Sequence, residues 1–338
     1  MKKILISILA VMLVATSFIG CTGAAQTTLE MDSTLPWYAY RTFVSERSTY
    51  NVTKYFMRDV DDLVPVTEDS YLDYTLTQSE EDGNVLYTLT ADFKINYTSS
   101  EYLDDNFRGK TDTITSKAVF RRDNLTAVYT EKSAKLETAP DKSYSFTVNY
   151  TEGKAHYISG ETTRDLTFKN ASYIDNEYLY YYIRAMKNVG NTLTANFTVV
   201  NWYDCFIGNN SNDNWFQKLF GSSKKIKFKT TDMVARYYQV DNIKIENADF
   251  LSGFAAEGKD SEAQTLKCNT IQIMLNGTKT GSPLFASYAA VPYEVTEGNN
   301  LLSTKKILAE MHSFEYTTRG KLTYRIDYVL NDFNQDFE

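Results

Sequence analysis

"VLYTLTADFKINY" (residues 85–97) decides the fold. Val85, Tyr87, Leu89, Ala91, Phe93, Ile95 and Tyr97 fall on one side of an extended chain, and Thr88, Thr90, Asp92, Lys94 and Asn96 fall on the other. A two-residue period of this kind predicts a strand with one face buried and one face wet. Upstream, "YLDYTLTQ" (71–78) alternates in the same way, and the intervening "SEEDGN" carries Asp82-Gly83, a dipeptide suited to a tight hairpin turn. "SYSFTVNYTEGKAHYIS" (143–159) predicts a second hairpin turning at Glu152-Gly153, and "KILAEMHSFEYTTRGKLTYRIDYVL" (306–330) a third turning at Arg319-Gly320. The 26 Tyr and 19 Phe against 15 Gly and 5 Pro are a strand former's composition. Long strands and short turns predict a mainly β protein built as an antiparallel meander.

One stretch breaks the period. In "SYIDNEYLYYYIRAMKNVG" (172–190), Leu179, Ile183 and Met186 recur at helical spacing beside Tyr178 and Tyr182. Ser172 with Asp175 resembles a capping box, and Lys187 and Gly190 suit a helix end. This predicts one main helix near 174–187, packed on the apolar face of the sheet. A strand reading stays open, because Tyr178, Tyr180, Tyr181 and Tyr182 all have high β propensity.

The N-terminus predicts delivery. Lys2 and Lys3 precede an apolar run from Ile4 to Gly20, which is the plan of an export signal. At ~1.5 Å per residue the run reaches roughly 25 Å, short of a ~30 Å hydrocarbon core. "FIGC" (18–21) resembles the lipobox of bacterial lipoproteins, with Phe18 where that motif usually has Leu. The resemblance implies that residues 1–20 are a signal peptide and that Cys21 is lipidated, giving a protein held at the outer side of a bacterial membrane in the cell envelope. Residues 21–35 then read as a polar tether, and 36–338 as a single β-rich domain, with 204–265 the place for an insertion. Loss of Lys2 and Lys3 takes the formal charge from −8 to −10. That balance lacks the basic footprint of a nucleic-acid binder, and leaves membrane attachment to the lipid chain.

The chain displays few motifs of catalytic chemistry. His156 and His312 fall inside predicted hairpins without a nucleophile motif, which reads as a protein that is not an enzyme. No closely spaced Cys and His ligands predict a metal, and no glycine-rich loop predicts a phosphate-bearing cofactor. Cys205 and Cys268 either pair as a disulfide worth about 4 kcal/mol or stay as two buried thiols. In "SSKKIKFKTT" (222–231), Lys225, Lys227 and Lys229 read as one face of a strand. Tyr178, Tyr181, Tyr182, Trp202 and Trp215 crowd a short span; such side chains line a ligand cavity or fill a core between helix and sheet. They are the candidate ligand-binding residues.

"YIDNEYLYYYIRAMKN" (173–188), the Cys-led strand "CNTIQIMLNGTKTGSPLFASYAA" (268–290) and "GKLTYRIDYVL" (320–330) together resemble an uncharacterised family of exported bacterial proteins akin to the periplasmic lipoprotein carriers. The resemblance covers about half the chain and implies a large curved antiparallel sheet, half-barrel-like, whose apolar concavity takes something greasy. It supplies no catalytic residues. The expected function is a membrane-tethered, non-enzymatic binding or carrier protein for a lipid-like or other hydrophobic ligand. The alternative is a cell-envelope structural or assembly factor acting through contacts with envelope proteins.

Overall fold

A computed structural model describes residues 43–59, 62–185, 194–207, 227–246, 250–251, 259–260, 265–275, 283–291, 293–297, 300–316 and 322–337. The expected signal peptide (1–20), Cys21, the expected tether (21–35), Met186, Trp215, Lys225 and the expected Arg319-Gly320 turn lie outside these residues. The strands are β1 (Phe43–Asp59), β2 (Asp62–Pro65), β3 (Thr67–Glu81), β4 (Asn84–Tyr97), β5 (Thr111–Arg121), β6 (Ala127–Leu136), β7 (Tyr144–Asn149), β8 (Lys154–Ser159) and β9 (Thr162–Thr167). They continue with β10 (Thr194–Val199), β11 (Thr231–Lys244), β12 (Lys259–Asp260), β13 (Thr265–Leu275), β14 (Leu284–Ala289), β15 (Tyr293–Glu297), β16 (Asn300–Lys305), β17 (Leu308–Tyr316) and β18 (Leu322–Phe337). Among the described residues two short α-helices, α1 (Leu179–Arg184) and α2 (Trp202–Ile207), accompany the strands.

The alternation in 85–97 is realised as β4, with Tyr87, Leu89, Ile95 and Tyr97 buried on its inner face. Its hairpin with β3 turns where predicted, Glu81 pairing Asn84 across Asp82 (φ 50°) and Gly83 (φ 74°). Two successive left-handed residues match the natural twist of the paired strands, which is why Asp-Gly serves there. The hairpins β7–β8 and β17–β18 form as well.

Among the described residues these strands make one 16-stranded antiparallel sheet, with β15–β16 a separate hairpin. From edge to edge the order is β10-β11-β13-β14-β17-β18-β1-β3-β4-β5-β6-β7-β8-β9, with β12 added on β13 and β2 on β1. The first and last strands therefore meet in the middle, Ser45 opposite Asp336 through to Phe56 opposite Tyr324. Two arms run outward from this seam: β3 to β9 in chain order, and β17 back to β10 in reverse.

The arms curl towards each other around the segment that links β9 to β10. Tyr173 on that segment accepts from the Ala127 amide of β6 (2.8 Å), and Asn176 donates to the Val200 carbonyl just beyond β10 (3.0 Å). α1 and the turn before it touch both arms: Tyr178 of the turn stacks on Phe120 of β5 at 4.3 Å, and from α1 Tyr181 meets Tyr74 of β3 at 5.6 Å and Tyr182 meets Phe197 of β10 at 5.6 Å. The Tyr288 hydroxyl of β14 donates to the Tyr180 carbonyl at 2.7 Å. A flat sheet could not bring these strands to one six-residue helix. The expected curved sheet on one main helix is the architecture observed.

Three expectations change in detail. The helix is shorter than 174–187 in its described part: a 3₁₀ turn (Asn176–Tyr178) leads into α1, and Ala185 caps it. Its N-cap is Asp175, which accepts from the Glu177 amide at 2.9 Å, so Ser172 has no capping-box role. Within 204–265, β11 is a full strand of the main sheet, and Lys227 and Lys229 precede it outside any strand. There Phe228 stacks on Phe168 at 4.9 Å, so packing of that ring sets the local conformation in place of a lysine stripe.

Candidate functional site

Asp175 positions everything that follows. Besides capping the 3₁₀ turn, its carboxyl accepts from Thr130 Oγ1 of β6 (2.7 Å) and from the Tyr150 hydroxyl (2.5 Å). Tyr150 in turn accepts from the Trp202 indole N–H at 2.6 Å, which ties α2 to the same point. Burial raises the Asp175 pKa to about 6, assisted by the nearby Glu177 charge and opposed by its hydrogen bonds. At the other end of α1, Arg184 makes a buried ion pair with Glu46 of β1 at 2.7 Å and lies over the Tyr181 ring. Removing either member would leave an uncompensated buried charge, so α1 is fixed at both ends.

Held this way, the helix does not fill the hollow. A cavity of about 260 Å³ remains between α1 and the inner face of the sheet. Leu72, Tyr74 and Met311 form its buried floor. Phe93, Ile114, Tyr180, Leu284 and Tyr328 form half-buried walls, so the hollow opens to solvent. Ser116 and Ser313 add hydroxyls, and Lys132 and Glu177 add an ion pair at 2.9 Å. Burial raises the Tyr180 pKa to about 12 and holds Tyr74 and Tyr328 above the ordinary tyrosine value, so these hydroxyls are neutral near pH 7. Both arms of the sheet supply the lining, from β3, β4, β5 and β6 on one side and β14, β17 and β18 on the other.

The tyrosines singled out in the sequence are beside this cavity and do not line it. Tyr178, Tyr181, Tyr182 and Trp202 are buried in the main core. Tyr178 donates to the Leu125 carbonyl, and Trp202 packs on Phe206 and Phe168. They fill the space between helix and sheet, and Tyr180 is the one that faces the opening. The signal was in the spacing: Leu179 and Ile183 with Tyr178 and Tyr182 define the buried side, and Tyr180 falls off it. Lys132 and Glu177 could not be found from the sequence, because they lie 45 residues apart and meet only through the fold.

Cys205 and Cys268 are not joined. Both are buried, Cys205 Sγ directed at the Lys229 carbonyl (3.4 Å) from α2 and Cys268 Sγ at the Leu266 carbonyl (3.5 Å) from β13. The open choice between disulfide and buried thiols is thus resolved as thiols, each set among apolar neighbours on a different element. His156 faces Asp165 at 2.7 Å across β8 and β9 on the exposed surface, and His312 stacks on Phe285 at 4.6 Å. Among the described residues no three His, Cys, Asp or Glu side chains are grouped to hold a metal ion.

A larger recess of about 720 Å³ lies on the opposite, outer face of β3 to β7. Its character is polar, with Thr75, Thr90 and Thr115 between charges of both signs such as Asp92, Lys117 and Glu131. Arg47 and Asp73 pair there at 2.7 Å.

No family model matches the chain, and no curated protein does. Among solved structures, a β-barrel-like protein of a domain of unknown function from Brucella abortus has a TM-score of 0.41 at 9% identity, over 88% of this chain and 99% of that one. A candidate lipoprotein from Parabacteroides distasonis has a TM-score of 0.28 at 10% identity, over 87% of this chain and 97% of that one.

Proposed function

We propose that this protein is a non-enzymatic binding or carrier protein for a lipid-like or other hydrophobic ligand, tethered through a lipid on Cys21 at the outer side of a bacterial membrane. The observation that supports the reading is the open cavity beside α1. Phe93, Ile114 and Leu284 present hydrocarbon to water there, and a ligand that covers them gains the free energy of removing that surface from solvent. At about 260 Å³ the hollow is just under the ~300–1,000 Å³ usual for ligand sites, which suits one short chain or the end of a longer one. The outer recess is lined mainly by Ser, Thr and charged side chains, which suit a polar occupant better than a hydrocarbon chain.

N-phenyl-1-naphthylamine, an uncharged probe that brightens in apolar pockets, tests the reading. The parent protein should bind it saturably. Tyr180→Glu should weaken binding at least tenfold in the fraction that a parallel melt shows to be folded, since a bound ligand would bury an unpaired charge at a cost of several kcal/mol. A parent that takes up no probe loses the carrier reading, and an envelope assembly factor acting through protein contacts takes its place. For the anchor, Cys21→Ser should abolish palmitate labelling and shift the protein out of the membrane fraction. Equal labelling of variant and parent would remove the lipid from the account.

A further inference from the structure

Charge in the cavity is confined to one place. Among the described wall residues the ionised groups are Lys132 of β6 and Glu177 of the 3₁₀ turn, with Lys132 Nζ 2.9 and 3.0 Å from the two carboxylate oxygens. The rest of the wall is hydrocarbon and hydroxyl. Resting on the carrier reading above, we propose that the cavity selects an uncharged amphiphile, an apolar chain ending in a hydroxyl or ester, and that the Lys132–Glu177 pair is the specificity determinant that turns ionised ligands away.

Both charged groups in the wall already have their partners. A carboxylate or phosphate head entering this hollow needs a cation, and the ammonium in the wall is engaged with both oxygens of Glu177. Drawing it away would strand the Glu177 charge at a largely buried site, a loss that cancels much of the gain. Asp175 lies on the inner side of the same turn, so the field at the pair carries no positive surplus. Burial pulls the Lys132 ammonium towards neutrality, but the charge and hydrogen bond of Glu177, joined by Tyr144 and Asp175, together outweigh it and hold the Lys132 pKa above its ordinary value. An alkylammonium meets the converse problem, since it must expel Lys132 to reach Glu177. An uncharged head has no such conflict and finds Tyr180, Tyr328, Ser116 and Ser313 as hydroxyl partners. Discrimination of this kind comes from an interaction that the wrong ligand would have to break.

Displacement of N-phenyl-1-naphthylamine by 1-octanol, octanoate and octylamine at pH 8 tests it, because the three share a chain and differ in head charge. Octanol should displace the probe, with each ion at least tenfold weaker. A featureless apolar pocket would also rank them so, and the variants separate the two. Glu177→Gln frees the ammonium and should bring octanoate at least tenfold closer to octanol. Lys132→Gln frees the carboxylate and should do the same for octylamine. The double variant Lys132→Gln/Glu177→Gln should keep octanol within about threefold, which certifies the cavity independently of either charge, and either single variant that folds suffices. An ion that matches octanol in the parent, or a ranking that neither variant moves, overturns the proposal while the carrier reading stands. If neither probe nor octanol binds the parent, the carrier reading falls and takes the proposal with it.

Discussion

At Asp175, three donors converge on a carboxyl that has been removed from water. Its pKa of about 6 stands above the ~3.9 of an unfolded chain, so the native state holds the proton more tightly. The contribution to stability is fully present below about pH 4 and is lost as pH rises through about 6. Denaturant melts across pH 4–7 should show this decline in the parent and a flatter profile in Asp175→Asn; parallel profiles would remove Asp175 as its source. Ile183, fully buried against the sheet, gives the complementary measurement. Ile183→Ala should cost about 2–5 kcal/mol in a melt, and a loss under about 0.5 kcal/mol would contradict its place in the core. At this scale the sequence shows which side of the helix is apolar, because that is a matter of spacing. It does not show whether an aromatic side chain fills the core or bounds a void. Tyr178 and Tyr180 are chemically identical and two positions apart, and only the path of the opposing strands separates them.

The hairpins repeat the lesson with backbone in place of side chains. Gly83 and Gly153 share a left-handed φ, 74° and 65°. A Cβ at Gly83 meets nothing within 4 Å, whereas one at Gly153 would lie 2.3 Å from the Phe168 carbonyl oxygen. Gly83→Ala should therefore cost about 1–2 kcal/mol, the left-handed penalty alone. Gly153→Ala must also push β8 away from the chain after β9, where Phe168 donates to the Gly153 carbonyl at 2.8 Å, and should cost clearly more. Equal melting shifts for the two would refute the close approach. Both turns were legible because an Asp-Gly or Glu-Gly between alternating runs is a local signal. β11 was not. Met233, Val234 and Ala235 are buried in succession, and a bulge at Tyr238 shifts its register against β13, so burial on both faces erases the period that reveals a strand. α2 was hidden for a similar reason, since its six residues are too few to display a helical stripe.

For the whole molecule, the seam between β1 and β18 carries the architecture. Each arm is a run of neighbours along the chain, and within the sheet the two are joined through this one strand pairing. Deleting residues 322–338 would leave β1 and β17 as bare edges in the middle of the sheet, with Tyr50 and Leu330 no longer sharing a core. The truncated chain should fail to give a cooperative melt and should aggregate at concentrations where the parent is monodisperse. A cooperative transition in the truncated form would show that the arms stand alone. The pairing also sets an order in time. Ser45 and Asp336, hydrogen-bonded across the seam, are separated by 291 positions. Contacts of such high order must wait for the chain entropy of closing a very long loop to be met, and folding rates fall as their share rises. A chain made from its N-terminus can assemble the β3–β9 arm early, yet β1 keeps an unpaired flank until β18 arrives. During that interval the growing protein resembles a half-built sheet with a sticky side, and whatever chaperones it should recognise β1.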